Sequence, residues 1–430
     1  MILATSVTPL PRLSRLASQL EYSDIIHLAV SAQHAANNGK AMCDMIIGDF
    51  DTTLFPLPTA LNEAIKQAYD SHQHDYPPLE GVLPLRQNLA QLMRNHFNLN
   101  YDPEREILIS GGARPLLYLA LMALVDPNEK ILYPTPSWNN NYYATLCRAN
   151  GISIETSPAN RYLPVAADFI PHLSGARVIC LCSPQNPVGA MFSQQQLTEI
   201  CDLVLEENMR RQEQGEKPLY LLFDQVYWML TYQQNTHFHP VALRPELKPW
   251  VIVVDGASKA FSATGLRVGW GMGPADIIHR MAIMQEHIGA IAPKAEQLAM
   301  ASMLGNENLL NTHLSSFKEQ IYQSLIMLHS GIQQLKSEGY PVESMEPVAG
   351  IYLSLKIDLA GKITPDGKVI ENEEQAARYL IEHAGFAVVP FSCFGMHNAA
   401  WWFRAAVCAV RLEDIELVLP AVRLAIGALK

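Results

Sequence analysis

Short apolar runs alternate with longer amphipathic stretches along most of the chain. Glu106–Ile109, Lys130–Tyr133, Val178–Cys182, Tyr220–Phe223, Val251–Val254 and Val268–Met272 are compact and aliphatic, the pattern of buried strands. Between them, Pro115–Val125, Trp138–Asn150 and Ser193–Gln214 carry helical periodicity. Ser193 opens the last of these with Gln196 three residues on, the spacing of a reciprocal N-terminal cap. Strands that alternate with helices predict a mainly parallel sheet covered on both faces. Ala295–Glu338 reads as mostly helix, broken at Gly305 and stopped at Gly339. From Ile351 the pattern changes. Ile351–Ile357 alternates as a half-buried strand, Pro365-Asp366-Gly367 forms a turn, and Glu373–His383 forms a helix. Val388-Val389-Pro390 and Trp402–Val407 complete an α+β unit. The expected division is an N-terminal segment 1–55 packing with the small domain, a large α/β domain over 56–305, and a small α+β C-terminal domain over 306–430.

Composition narrows the function classes. The 430 residues are 49% hydrophobic and 17% charged, enough to bury a large core and unlike a disordered chain. A net charge of -11 argues against nucleic acid, whose phosphates reward basic surfaces, but leaves room for a local basic pocket. The seven cysteines contain no C-x-x-C pair, so they read as small buried apolar residues in a reducing compartment, with no metal site expected. The opening MILATSVTPLPRLSRL lacks the apolar core of a secretory leader, and runs such as Leu116–Val125 are too short to span a membrane. The expectation is a cytoplasmic protein.

Special residues gather where the strands end, the position at which open parallel sheets bind ligands. Ser110-Gly111-Gly112-Ala113-Arg114 joins a strand to a helix, and Arg114 at that helix start is disfavoured unless an anion sits there. Ser183-Pro184-Gln185-Asn186-Pro187-Val188-Gly189 is an ordered turn presenting the Asn186 amide. Asp224 ends the next strand, with Tyr227 three residues on. Lys259 follows Val251–Val254, with Arg267 eight residues later, a pairing suited to an anionic ligand. Taken singly, each has a plainer reading: a turn, a helix-capping aspartate, a solvated lysine.

The segment Ser258–Gly269, SKAFSATGLRVG, resembles the PLP-lysine signature of class I/II aminotransferases, which have the fold-type-I PLP architecture: a large mainly parallel sheet domain and a smaller α+β domain. The aspartate-aminotransferase-like order of motifs extends over roughly residues 44 to 410, through Tyr76, Gly81, Leu85-Arg86, Gly112–Arg114, Trp138, Asn186-Pro187, Gly189, Asp224, Tyr227, Lys259, Arg267 and Arg404. The resemblance implies pyridoxal 5′-phosphate as cofactor, held by Lys259 as a Schiff base, with Lys259 also shuttling the proton. Asp224 would keep the pyridine nitrogen protonated, and Asn186 and Tyr227 would donate to the ring oxygen. Trp138 would stack on the ring, while Gly112, Ala113, Arg114 and Arg267 would hold the phosphate. Arg404 would grip the substrate α-carboxylate in a planar fork, beside Asn186 and the backbone of Gly48. Tyr76 would reach the phosphate of a neighbouring subunit, implying a homodimer.

Departures from the family pattern are Gly256, where many relatives carry serine, Arg114 in place of a hydroxyl, and Asp224-Gln225 for the usual acidic pair. Arg114 is expected to compensate for the missing hydroxyls. Phe391 before Ser392–Gly395 suggests a differently shaped entrance. The implied activity is transfer of an amino group from an L-amino acid, aspartate among the candidates, to a 2-oxo acid. Lys294 and Arg161 are the guesses for a side-chain carboxylate partner. The alternative is a C–S or β-elimination lyase, which would need the same residues. A regulatory protein on this scaffold would add a DNA-binding domain, and none is read here.

Overall fold

A computed structural model of the chain describes residues 13–20 and 24–430. The first twelve residues, within which the leader question falls, lie outside the described part, as does part of the 1–55 segment.

Seven strands form the central sheet: β1 (Ile107–Ser110), β2 (Lys130–Thr135), β3 (Asn150–Glu155), β4 (Ala176–Cys182), β5 (Tyr220–Asp224), β6 (Val251–Gly256) and β7 (Gly269–Met272). Their order is β1-β7-β6-β5-β4-β2-β3. Only β7 runs against its neighbours, pairing antiparallel with both β1 and β6, so β1 points the same way as the parallel strands. Side chains along the strands sort alternately into two cores. Ile107, Ile109, Ile179, Leu181, Leu221 and Phe223 enter one; Leu108, Val178, Cys180 and Leu222 enter the other. Each fully buried aliphatic side chain contributes about 1.5–3 kcal/mol.

Helices α2 (Ala113–Leu124) and α4 (Ala275–Ile288) bury Leu116, Leu119, Ile278 and Met281 against the second core. Helix α3 (Gln194–Gln214) covers the first core with Leu197, Ile200 and Val204. Its predicted cap is present: Ser193 Oγ accepts from Gln196 N at 3.2 Å, Gln196 Oε1 accepts from Ser193 N, and left-handed Gly215 ends it. The predicted break after 304 separates α5 (Lys294–Leu304) from α6 (Glu307–Ser337), where Asn306 caps the longer helix.

A second sheet of four strands, β8 (Val342–Ser344), β9 (Tyr352–Ile357), β10 (Val389–Pro390) and β11 (Trp402–Ala406), is antiparallel throughout, in the order β10-β11-β9-β8. Helices α7 (Glu373–Ala384) and α8 (Leu412–Gly427) accompany it. Near the start of the chain, helix α1 (Asp24–Asn37) packs on α7, and Cys43–Asp44 pairs in parallel with Phe386–Ala387. No helix among the described residues is long and apolar enough to cross a membrane.

One predicted element is corrected. The helix expected over Trp138–Asn150 is confined to Asn140–Leu146, and Asn150–Glu155 is the edge strand β3. Arg148 takes a left-handed conformation at φ 57°, which ends the helical turn. Only Ile154 of β3 is buried, so the strand lacks the aliphatic run that marks its neighbours.

Candidate active site

The five loops that leave the carboxyl ends of β1, β2, β4, β5 and β6 converge on one cavity of about 570 Å³. From β1, the chain turns through Gly111 and Gly112 into α2. Gly112 has φ 108° and no capping side chain, and its amide donates to Ser110 O at 2.7 Å. The amides left for an anion are therefore those of Ala113 and Arg114, which both line the cavity at the positive end of α2. This turn is held by β7: a Cβ on Gly269 would lie 2.4 Å from Gly112 C and 2.6 Å from Ala113 N. The Arg267 guanidinium closes the other side, donating to Gly111 O at 2.9 Å and Thr264 O at 2.6 Å.

Beyond β2, Trp138 is half-buried in the cavity wall and the Arg114 guanidinium lies over its ring, 5.1 Å from the centroid. The turn after β4 brings in Gln185 and Asn186. At the end of β5, Asp224 accepts from Val226 N at 3.0 Å, and burial raises its carboxyl from 3.8 to about 6, opposed by that amide and by the charge of Lys259. Past β6, Lys259 Nζ donates to Gly48 O at 2.6 Å. Burial lowers the Lys259 amine below its ordinary value; Cys408 and Asp49 oppose that, while Arg404 and Arg114 add to it. Such an amine is more readily neutral, the form that attacks a carbonyl.

Arg404 reaches the same cavity from β11 of the small sheet and is almost fully buried. Its Nη1 donates to Asn186 Oδ1 at 3.1 Å and its Nη2 donates to Ile46 O. Its guanidinium carbon lies over the rings of Phe394 and Tyr352, 4.8 and 4.6 Å from their centroids. Tyr227 is buried beside them, and burial pushes its phenol well above the usual range.

Thus Gly48, Ala113, Arg114, Trp138, Asn186, Asp224, Tyr227, Lys259, Arg267 and Arg404 line one cavity, and Gly112, outside the lining, adjoins Ala113 and the Arg267 guanidinium. Tyr76 stands apart: it is 90% exposed and touches no part of the cavity within its own chain. Gly48 lines the cavity, and its carbonyl accepts from Lys259. Neither Lys294 nor Arg161, the guesses for a side-chain carboxylate partner, lines the cavity of its own chain. Lys294 pairs with Asp75 at 2.7 Å, and Arg161 donates to Glu346 O at 2.7 Å. Phe391 does not shape the entrance either; it is fully buried against Tyr162. Gly256 faces Val268 O and the Gly269 Cα at 3.1 and 3.2 Å from a would-be Cβ, which leaves little space for a serine. Gln225 carries its side chain to His237, 3.4 Å away. Sequence reasoning missed Ile25 and Ile26 of α1, Thr264, and Tyr352 of β9 in the lining.

The site fits pyridoxal 5′-phosphate on its own chemistry: an amine and a carboxyl across one cavity, and free helix amides beside two guanidinium groups at one end. The family profile described as aminotransferase class I and II matches residues 42–422. The chain is 27% identical over 385 residues to an aspartate aminotransferase of Rhizobium meliloti, covering 88% of each protein. It is 27% identical over 395 residues to an aspartate/prephenate aminotransferase of Thermus thermophilus, covering 89% of this chain and 92% of that protein. The crystal structure of the Rhizobium meliloti aspartate aminotransferase superposes with a TM-score of 0.86 at 24% identity, over 97% of this chain and all of that one. A Thermus thermophilus aspartate aminotransferase solved with maleate gives 0.84 at 23% identity, over 97% of this chain.

Proposed function

Because the chain belongs to the class I and II aminotransferases, and with them uses pyridoxal 5′-phosphate, we propose that this cavity moves the amino group of an L-amino acid, aspartate first, to a 2-oxo acid in two half-reactions. The observation that carries the reading is the meeting of Lys259 past β6, Asp224 at the end of β5 and Arg404 on β11 at one cavity. When bound, the cofactor supplies an aldehyde and an electron-withdrawing ring.

The chain's own residues do the rest. Lys259 Nζ is the amine that would hold the cofactor through its aldehyde, and the same group would serve as the base that moves the substrate's proton. Asp224 holds a proton on the pyridine nitrogen, and a cationic partner there would bring its carboxyl down from about 6 and keep it ionised. Asn186 and Tyr227 donate to the ring oxygen, and Trp138 covers a ring face. The amides of Ala113 and Arg114, with the Arg114 and Arg267 side chains, receive the phosphate. Arg404 would bind the α-carboxylate in two parallel hydrogen bonds and so fix the orientation of the substrate. Aspartate is favoured by the names of the relatives.

Tyr76, exposed in the single chain, is proposed to reach the phosphate of a second subunit, so the working form is a homodimer. Seven unpaired thiols suit a reducing, cytoplasmic setting.

A visible absorption band that bleaches when aspartate is added, with appearance of the 2-oxo acid, is expected for the purified holoenzyme. It should be absent from Lys259→Ala. Release of ammonia in place of transfer to 2-oxoglutarate would overturn the reading in favour of elimination.

A further inference from the structure

Tyr352, on β9, is 2% exposed, lines the cavity, and belongs to none of the sequence motifs. Its hydroxyl lies 2.9 Å from the Tyr227 hydroxyl, and the two rings meet edge-on with centroids 5.6 Å apart. The opposite claim on the ring is Arg404, whose guanidinium sits 4.6 Å over its centroid. The close packing extends to the backbone: a Cβ at Gly48 would stand 2.1 Å from the Tyr352 hydroxyl, so a glycine there is what admits the phenol. One side chain thus touches both the residue assigned to the cofactor oxygen and the residue assigned to the substrate carboxylate.

Two hydroxyls at 2.9 Å share one hydrogen, and only one of them donates. If Tyr227 spends its hydrogen on the cofactor oxygen, Tyr352 must be the donor between them. We propose that Tyr352 is a positioning residue: it donates to Tyr227, which aims the Tyr227 hydrogen at the cofactor ring oxygen, while its ring face seats Arg404 for the substrate carboxylate. The inference rests on the role given above to Tyr227. A hydroxyl that accepts a hydrogen bond is a stronger donor in turn. Loss of the Tyr352 hydroxyl therefore weakens the stabilisation of a negatively charged ring oxygen and shifts the bound cofactor's spectral transition to higher pH. Cys182, Cys408 and Arg404 are the titratable groups that act on this phenol pair, with Lys259 and Asp224 lining the same cavity, and all five remain in Tyr352→Phe.

The test compares Tyr352→Phe and Tyr352→Leu holoenzymes by visible absorbance against pH without substrate, and by KM for the amino acid. Tyr352→Phe is expected to raise the spectral midpoint by about half to one pH unit. Because it retains the ring under Arg404, its KM should stay within about twofold. Tyr352→Leu should raise the midpoint equally and KM by about tenfold. A midpoint unmoved in Tyr352→Phe overturns the donor role, and a KM that rises as much in Phe as in Leu overturns the seating of Arg404 by the ring. A wild-type protein without a visible band dependent on Lys259 overturns the underlying reading of the site, an outcome plainly separate from a band whose midpoint ignores Tyr352.

Discussion

Asp224 carries two opposed demands. Burial holds its carboxyl near 6, whereas the unfolded chain releases that proton near 3.8. The folded form without cofactor therefore binds the extra proton, and its stability falls as pH rises through that window. Asp224→Asn removes the penalty and keeps an acceptor for Val226 N. We expect the cofactor-free variant to gain on the order of 1–3 kcal/mol above pH 6 and nothing below pH 3.8, while losing nearly all transfer activity. Urea unfolding at both pH extremes measures the difference, and an equal gain at the two would refute the cause. Arg404 makes a second residue-scale prediction. A lysine cannot span Asn186 Oδ1 and Ile46 O while presenting a fork, so Arg404→Lys should raise KM for the amino acid about a hundredfold with a smaller fall in kcat. Residues of this kind were legible in sequence because they sit in short motifs, Asp224 at a strand end and Arg404 within a strand. Tyr352 was not, because its partners Tyr227 and Arg404 lie 125 and 52 positions away in the chain and meet it only through the fold. The surroundings of Lys294 and Arg161 were illegible for the same reason: a cation's partner is set by tertiary distance, and within the chain theirs are Asp75 and the Glu346 carbonyl.

At the scale of elements, the phosphate end of the cavity depends on how β7 meets the start of α2. A Cβ on Gly269 would strike backbone at 2.4 Å, whereas one on Gly271 meets the Leu116 side chain at 3.2 Å, which can turn aside. Gly269→Ala should weaken cofactor binding about tenfold and lower stability by about 1–3 kcal/mol, and Gly271→Ala should do much less of either. Titration with pyridoxal 5′-phosphate alongside thermal unfolding distinguishes them; equal effects would remove the argument. Strands β1, β4 and β6 were readable because they are buried on both faces and each carries an aliphatic run. The edge strand β3 pairs with β2 alone and buries one side chain, so its sequence carries little apolar signal. Helix α1 was likewise unread, with Ile25, Leu28 and Ala32 its only buried residues, yet Ile25 and Ile26 form part of the cavity wall.

For the whole molecule, the sequence pattern conveyed the two-sheet plan but not which strand would run backwards, since that depends on β7 returning between β1 and β6. A dimer is expected by sedimentation, with sites that borrow Tyr76. Mixing Tyr76→Ala with Lys259→Ala subunits should then restore activity that neither homodimer has, because one composite site is whole; failure to complement would return Tyr76 to the surface. Lastly, four consecutive residues near the start of the chain act as a common acceptor strip. Ile46 O receives Arg404, Gly48 O receives Lys259, and Asp49 receives both Thr264 and Cys408. Once the lysine amine is committed elsewhere, this strip loses one of its anchors while keeping the one to Arg404. Loading with coenzyme will thus be visible far from any spectrum, as a change in amide exchange across 46–49, and the arginine that greets substrate will sense through two peptide units whether the lysine is engaged.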